Sequence, residues 1–372
     1  MALPAEPASL AAPASPAEPA SLAEPASPAQ PASRALAPAE AAPPAGPVER
    51  VAEPPELSEA TPSKRMLVIV NPYAATVSDR LRNLVLYALQ ARYRVEAVDT
   101  QSPGHASEIC REAAHEGYDV VVAFGGDGTV NEAVNGLAGS ATPLTCLPGG
   151  STNVYCRMLG IPREIVDATE HLLRMADRWD PRRVDVGRVN GRAFAFSAGL
   201  GLDASVVCRV DAHPWRKARF GAWYFTGVAV DTFTRRYLLR PPRLVVRLPG
   251  ADGEVEELRG VTAIVQNAAP FTYFLGRRID IAEGAELRGG TLAGAVLERA
   301  SVIDMPTMIW RIFSRRARLA RHRRVSSFAE VTELQADSED ARPIPLQVDG
   351  DYIGEVTQAR FALDPLALTV IS

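Results

Sequence analysis

The segment from residue 119 to residue 136 constrains the fold of this 372-residue chain more than any other stretch. Its apolar residues 120–124 are typical of a strand that is buried on both faces. Glycines then let the backbone approach a ligand closely, and a helix with apolar residues at helical spacing follows. Free N–H groups at the start of such a helix form a site for phosphate or another anion. The turn consists of Gly125, Gly126, Asp127, Gly128 and Thr129.

Asp127 is the unusual member of this turn, because a carboxylate repels a phosphate group unless a divalent cation lies between or near them. It therefore indicates Mg²⁺, which binds oxygen ligands. The alternative interpretation is a tight turn between a strand and a helix, in which the aspartate caps the helix and no ligand binds.

Two other segments also consist of an apolar strand that ends in a polar loop. Residues 66–70 precede Asn71 and Pro72, and a second glycine turn follows Pro148. Because ligands bind beyond the carboxyl ends of the strands in an open parallel sheet, we expect the three loops to converge. The second glycine turn contributes Gly150, Ser151, Thr152 and Asn153.

Together these motifs resemble the catalytic domain of the diacylglycerol kinase and sphingosine kinase family of lipid kinases. The resemblance runs from about Arg65 to the C-terminus, with the motifs in the order and at the separation of the family. It implies ATP and Mg²⁺ as cofactors, an α/β domain with an open, NAD kinase-like parallel sheet, and an all-β sandwich domain. It also implies that Thr100 and Glu132 join the three loops in binding the nucleotide. From the residues alone, Thr100 is better explained as a helix cap or turn residue.

Composition and pattern divide the chain into four parts. Residues 1–63 are rich in Pro, Ala, Ser and Glu and lack core-forming residues, so we expect a disordered tail. Residues 64–182 are the expected nucleotide-binding domain and residues 183–360 the expected lipid-substrate sandwich, while residues 361–372 would return to the first domain. Alternating apolar and polar residues predict sandwich strands at 183–188, 193–197, 244–248, 261–266 and 279–281.

Composition also excludes several classes of protein. The net charge of −4 argues neither for nor against a nucleic-acid partner, and we expect none. The two lysines, Lys64 and Lys217, leave no P-loop or protein-kinase lysine to place. The four cysteines show no metal-binding spacing, which is typical of reduced core residues in a cytoplasmic protein. No apolar run reaches the roughly 20 residues of a membrane span.

Three aspartates of residues 183–360 complete the expected site. The resemblance implies that Asp185 joins Asp127 in a water-linked magnesium network, and a turn residue at a strand end is the alternative. The segment Asp349-Gly350-Asp351 matches the family's Asp-Gly-Glu. Phosphoryl transfer to an alcohol needs a base near the hydroxyl proton, a role that we assign to Asp349, with Asp351 as a second catalytic carboxylate. By itself, Asp-Gly is also the commonest hairpin turn.

Apart from Asp351, which replaces the family's Glu, the chain departs from the family in one other segment. Many members carry Asp-Gly-x-Leu-Asp late in the second domain, where the first Asp helps to hold a structural cation. The matching residues 289–293 read Gly-Gly-Thr-Leu-Ala and contain neither carboxylate. The sequence therefore gives no support for a cation there.

Two segments combine basic and aromatic residues in a way that suits an anionic membrane surface. The first is residues 213–225, and the second joins residues 308–313 to a run of arginines that ends at Arg324. The alternatives are a core-packed helix for the first segment and a solvated Arg-rich helix for the second. We expect a cytoplasmic protein at the inner membrane face. The sequence is compatible with a homodimer and does not decide the oligomeric state.

The sequence thus predicts an ATP- and Mg²⁺-dependent lipid kinase that transfers the γ-phosphate to a lipid hydroxyl. Diacylglycerol is the first acceptor, which would place the enzyme in phospholipid synthesis, and a sphingoid base or another lipid alcohol is the second. The alternatives are an NAD kinase-like activity and a non-catalytic protein that binds nucleotide or lipid.

Overall fold

Strands and helices alternate through the first part of the chain. The computed structural model describes residues 64–250, 253–314 and 316–372, and the predicted tail lies outside them. The first elements in chain order are β1 (Arg65–Val70), α1 (Asp79–Leu89), β2 (Arg94–Asp99), α2 (His105–Glu116), β3 (Val120–Gly125), α3 (Asp127–Leu137), β4 (Leu144–Pro148), α4 (Val154–Met158) and α5 (Ile165–Met175).

The four strands of this part form a parallel sheet in the order β2-β1-β3-β4. Every residue of β3 is buried, as its β-branched composition predicts for a central strand. Helices α2 and α3 pack against each other and bury their apolar faces against the sheet. The predicted α/β domain with a parallel sheet is confirmed.

Short antiparallel strands dominate the second part. A π-helical turn (Phe233–Tyr237) follows the helix Pro214–Thr232, whose backbone is interrupted at Gly221. The elements are β5 (Arg182–Val189), β6 (Arg192–Phe194), β7 (Ser197–Leu200), α6 (Leu202–Asp211), α7 (Pro214–Thr232), β8 (Leu244–Pro249), β9 (Val255–Gly260), β10 (Thr262–Gln266), β11 (Thr272–Phe274), β12 (Arg277–Ile279), β13 (Leu292–Leu297), α8 (Met305–Phe313), β14 (Val325–Val331), β15 (Glu333–Ser338), β16 (Ile344–Val348), β17 (Asp351–Val356) and β18 (Gln358–Val370).

These strands enclose a second hydrophobic core. One layer is the antiparallel sheet β14-β13-β10-β7-β16-β17, and the other contains β5, β6, β8, β9, β15 and β18. Apolar residues from both layers, such as Phe194, Val265, Leu346 and Phe361, form one buried cluster. The predicted all-β sandwich is confirmed.

Strand β18 hydrogen-bonds to strands of both parts. It pairs with β15 and β5 of the sandwich layer, and Val370 pairs in parallel with Leu144 of β4. Phe361 lies in the sandwich core, whereas Leu368 lies in the core of the α/β domain. One continuous sheet therefore runs from the α/β domain into the sandwich. The four-part division of the chain stays a prediction.

Three local predictions are wrong. Residues 193–197 do not form one strand, because backbone N–H groups at 195–197 bind the Asp349 carboxylate and separate β6 from β7. Strand β12 ends at Ile279, where its partner β11 begins at Thr272. The Arg-rich helix does not continue beyond α8, because the Ser314 hydroxyl accepts the N–H groups of residues 316 and 317 in a turn.

Candidate active site

The three predicted loops meet at the carboxyl ends of β1, β3 and β4. The backbone N–H of Asn71 donates to the carbonyl of Phe124 at 3.0 Å, and the N–H of Gly149 donates to that of Gly125 at 2.8 Å. The Asn71 side-chain amide also donates to the Thr129 hydroxyl at 3.1 Å. Direct hydrogen bonds therefore hold the loops together, as predicted from the sequence.

The two glycine turns touch backbone to backbone. A Cβ placed on Gly150 would lie only 2.8 Å from the Cα of Gly126, so an alanine at 150 would force the turns apart. A Cβ on Gly126 would instead make an ordinary contact of 3.5 Å. Gly126 stands just before α3, whose first N–H groups have no acceptor within the helix. N–H groups of this kind are the ones that the expected anion site would use, and the site itself stays a prediction.

The polar residues of the second glycine turn differ in their surroundings. Asn153 closes the turn through two bonds of 2.8 Å to the backbone of Gly150. Ser151 is exposed and Thr152 is half-buried. Pro72, in the loop after β1, is also exposed. Exposed and half-buried groups around the turn are positioned to meet a ligand from solvent.

Asp127 is half-buried at the first position of α3. Its Oδ1 accepts the backbone N–H of Tyr155 at 3.1 Å. Burial raises the pKa of Asp127 to about 6, against the opposing effect of N–H groups from Val154 and Tyr155, and the nearby charge of Asp349 raises it further. The structure therefore gathers two carboxylates that are far apart in the sequence.

The Asp349 carboxylate accepts four hydrogen bonds. Its Oδ2 binds the amide of Asn131 at 2.8 Å and the backbone N–H of Ala195 at 2.6 Å. Its Oδ1 binds the N–H groups of Phe196 and Ser197, both at 3.0 Å. Burial raises the pKa of Asp349, although these donors favour the charged form. The side chain is therefore committed to holding α3 against residues 195–197.

Asp349 and Gly350 form a two-residue hairpin turn between β16 and β17. Both have positive φ, 48° and 88°, as the favoured hairpin turn with Asp-Gly requires. The next residue, Asp351, lies against the start of α3, since a Cβ on Gly128 would be only 2.6 Å from its Oδ2. The hairpin thus places the Asp351 carboxylate against the first glycine turn, residues 125–129, which is called the phosphate turn after its proposed ligand.

The sequence did not single out Asn131 as a site residue, although it lies within the glycine-turn segment. It is fully buried on α3, where it also donates to the carbonyl of Ala193 and accepts from Arg192. In the sequence, the only sign of this role is an amide residue on a helix face that is otherwise apolar, because a buried amide needs hydrogen-bond partners. Its partner Asp349 could not be identified without the fold.

Glu132 and Thr100 have backbone partners outside the glycine turns. The carboxylate of Glu132 accepts the N–H groups of Gly104 and Ala106, at 2.8 and 3.1 Å, and so caps the N-terminus of α2. The backbone N–H of Thr100 donates to the carbonyl of Val70 at 2.8 Å. A nucleotide contact by Glu132 would compete with its cap, and the roles of both residues toward a nucleotide stay predictions.

Asp185 is buried, and both of its carboxylate oxygens have backbone partners. Oδ2 accepts the N–H of Gly290 and Oδ1 accepts that of Leu366, both at 2.8 Å. Gly290 belongs to the segment that lacks the family's two carboxylates, so a direct hydrogen bond holds this loop. The residues at 289–293 do not fit a cation, and a magnesium network that joins Asp185 to Asp127 stays a prediction.

No group of three or more His, Cys, Asp or Glu side chains within the described part of the chain could hold a metal ion by itself. Mg²⁺ is usually bound through one or two carboxylates together with the phosphates of the substrate. Asp127, beside the N–H groups of α3, fits binding of this kind, in which one carboxylate and the substrate phosphates hold the ion.

Comparison with known proteins agrees with this geometry. The profile of the family described as "Diacylglycerol kinase catalytic domain" matches residues 65–189, and that of the "YegS C-terminal NAD kinase beta sandwich-like domain" matches residues 195–372. The chain belongs to the bacterial diacylglycerol kinase-like family of lipid kinases. The two matched regions correspond to the α/β domain and the sandwich.

The relatives are similar over part of this chain in sequence and over most of it in structure. A diacylglycerol kinase of Bacillus subtilis is 37% identical over 143 residues, which cover 37% of this chain and 46% of that protein. A diacylglycerol kinase of Staphylococcus aureus is 34% identical over 142 residues, 37% of this chain and 44% of that protein. The chain thus matches less than half the length of these relatives. The crystal structure of a diacylglycerol kinase from Bacillus anthracis is 25% identical, with a TM-score of 0.62 over 83% of this chain and 96% of that one.

The raised pKa of Asp127 predicts how its substitution changes stability with pH. Because the folded-state value of about 6 exceeds the usual 3.8, the stability due to this carboxyl is fully present below pH 4 and is lost as the pH rises through 6. In urea titrations without nucleotide or metal, Asp127→Asn should match the wild type near pH 4. Above pH 6 it should be more stable by about 1–3 kcal/mol. Parallel pH profiles of the two proteins would contradict this.

Proposed function

We propose that this protein is an ATP-dependent lipid kinase that transfers the γ-phosphate of ATP to a lipid hydroxyl, with diacylglycerol as the first acceptor. The observation that carries the proposal is the contact between Asp351 and Gly128. It brings a carboxylate of the second domain onto the glycine turn of the first. Phosphoryl transfer to an alcohol needs this combination of a phosphate site and a nearby carboxylate.

The two glycine turns would hold the nucleotide mainly through backbone N–H groups. Since the described residues near the turns include no lysine, the backbone of 125–129 and 150–153 and the start of α3 supply the positive potential. Asn71, Pro72 and Thr100 border this region. Mg²⁺, when bound, would neutralise phosphate charge, and Asp127 is the carboxylate that would bind it.

The choice of diacylglycerol rests on the relatives. Both curated relatives and the related crystal structure are named diacylglycerol kinases. A sphingoid base or another lipid alcohol is the second choice, because all present a similar hydroxyl to the same site. Synthesis of phosphatidic acid for phospholipids is the corresponding metabolic role.

The two aspartates of the hairpin have different surroundings, which suggests different roles. The sequence assigned the base to Asp349, yet four N–H donors already occupy its carboxylate. A lipid hydroxyl would have to replace one of them. We therefore propose that Asp349 holds the hairpin in place and that Asp351 presents the carboxylate that accepts the hydroxyl proton.

Transfer of radiolabelled phosphate from ATP tests the function directly. We expect label in phosphatidic acid when diacylglycerol is supplied in mixed micelles with Mg²⁺, and less label with a sphingoid base. Label in NAD phosphate, or no label in any lipid or in NAD, would overturn the proposal in favour of an NAD kinase-like or non-catalytic protein.

A Gly126→Val substitution tests the phosphate turn. Since a Cβ at this position meets the protein only at 3.5 Å, the variant should fold. Its branched side chain would occupy the space in front of the α3 N–H groups, so ATP affinity should fall at least tenfold, about 1.4 kcal/mol. Calorimetry checks the affinity and thermal unfolding checks the fold. Wild-type ATP affinity in a folded variant would mean that the turn is only structural.

Separate amide substitutions of the two hairpin aspartates test their roles. Asp351→Asn should keep the melting temperature and lose about 10²–10⁴-fold in turnover, the usual contribution of a general base. Asp349→Asn places an amide N–H₂ among N–H donors, so it should lose stability by about 1–3 kcal/mol as well as activity. An Asp349→Asn variant that is fully stable but inactive, beside an active Asp351→Asn, would return the base to Asp349.

We propose in addition that α7, α8 and the arginines after α8 contact an anionic membrane. Trp223 of α7 and Trp310 of α8 are 75% and 61% exposed. The turn after α7 and Met305 of α8 belong to one apolar cluster, so the two predicted segments come from neighbouring elements. No helix among the described residues is long and apolar enough to cross a bilayer. Lys217 and Arg315, both part of the predicted surface, lie outside the side chains that the structure describes.

Vesicle binding tests this surface. Trp223→Ala and Trp310→Ala should weaken binding to anionic vesicles, and Arg316→Ala should weaken it at low salt only, because each arginine contributes about 1 kcal/mol near the surface. Tyr87→Ala on α1 is the matched control, since Tyr87 is an exposed aromatic residue outside the predicted surface. Equal binding by all variants would exclude these segments.

A further inference from the structure

A chain of two hydrogen bonds connects α6 to the Asp349-Gly350 turn. Asp203 stands in the first turn of α6, and its Oδ2 accepts the side-chain amide of Gln347 at 2.6 Å. The Oε1 of Gln347 in turn accepts the backbone N–H of Gly350 at 2.8 Å. Gln347 thus uses one end of its amide as a donor and the other as an acceptor.

The surroundings of this pair leave little room for another arrangement. Gln347 is 1% exposed, and Gly199 of the neighbouring strand β7 lies beside it. A Cβ on Gly199 would be 2.4 Å from the Oδ2 of Asp203 and 2.8 Å from the amide nitrogen of Gln347. Only glycine at this position allows the two side chains to meet, so the fold specifically accommodates their contact.

Asp203 is half-buried, and its carboxylate has no basic partner within the described chain. Its only described side-chain hydrogen bond is the one from Gln347, and burial raises the pKa of Asp203 to about 6. Burying a carboxyl group without a cation is unfavourable for stability. An aspartate at this position is therefore better explained by the geometry of the turn than by the stability of the fold.

We propose that Asp203 and Gln347 are positioning residues that fix the orientation of the hairpin carrying Asp349 and Asp351 toward the phosphate turn. The inference rests on the proposed kinase function for its catalytic consequence, whereas the structural consequence stands without it. Both residues act through Gly350, whose N–H is held by Gln347 between the two aspartates.

Gln347 must donate one hydrogen bond, to Asp203, and accept another, from Gly350. Substitutions that change one of these abilities test the proposal. Gln347→Glu keeps the acceptor for Gly350 but places a second carboxylate against Asp203, so the contact breaks. Asp203→Asn keeps an acceptor oxygen for Gln347 and should be near wild type. In the double variant, the Asn amide donates to the Glu carboxylate, which also accepts from Gly350, and the chain of bonds is restored.

Kinetics of diacylglycerol phosphorylation provide the first measurement. Gln347→Glu should lose at least about tenfold in kcat, since misplacement of a reacting group by about 1 Å costs up to 10²-fold, with the KM for ATP within about twofold of wild type. The double variant should recover to within about threefold of wild type. Glu333→Gln, a carboxylate-to-amide change at an exposed site on β15, is the matched control and should be neutral.

Hydrogen–deuterium exchange of the peptide that spans 344–356 provides the second measurement and needs no turnover. Exchange should be faster in Gln347→Glu and in Asp203→Ala and return to the wild-type rate in the double variant. Wild-type exchange in both single variants would overturn the inference, as would a double variant no better than Gln347→Glu. If the wild type phosphorylates no lipid, the kinase proposal fails, and the exchange data alone decide the positioning role.

Discussion

The Asp349 carboxylate is the contact on which the rest of the candidate site depends. Its four donors come from helix α3 and from residues 195–197, so a single buried side chain joins the helix of the phosphate turn to the strands of the sandwich. Leaving any one of these N–H groups buried and unpaired would lower the stability of the fold by about 1–3 kcal/mol. This cost keeps the hairpin in register with α3, and Asp351 lies on the phosphate turn as a consequence.

The sequence predicted most of the fold and the parts of the site that are local along the chain. A buried strand, a glycine turn and a helix follow one another at 120–137, and the spacing of apolar residues together with the glycines was enough to predict this arrangement. The network around Asp349 could not be predicted, because Asn131 and Asp349 are 218 residues apart and an isolated Asp-Gly also fits a plain hairpin. Glu132 illustrates the converse, since a residue inside a ligand motif caps a neighbouring helix.

Residues 289–293 lack the two family carboxylates, and hydrogen bonds to Asp185 hold this loop. Asp185 accepts the N–H of Gly290 and the N–H of Leu366, which stands at an irregularity of β18. A carboxylate that bonds two backbone N–H groups can hold a loop and a bulged strand together without an ion. The composition of residues 289–293 is therefore consistent with a loop held by hydrogen bonds instead of by a cation.

The pairing of β18 with β4 also has a consequence for how the chain assembles on the ribosome. Leu144 is synthesised long before Val370, its hydrogen-bonded neighbour. Until β18 emerges, the nascent parallel sheet exposes the edge of β4, a template for pairing with other chains. Pairing between segments so distant along the chain is slow to form. The α/β domain therefore cannot complete its sheet during its own translation, and the edge of β4 stays without its strand partner until the end of the chain has been made.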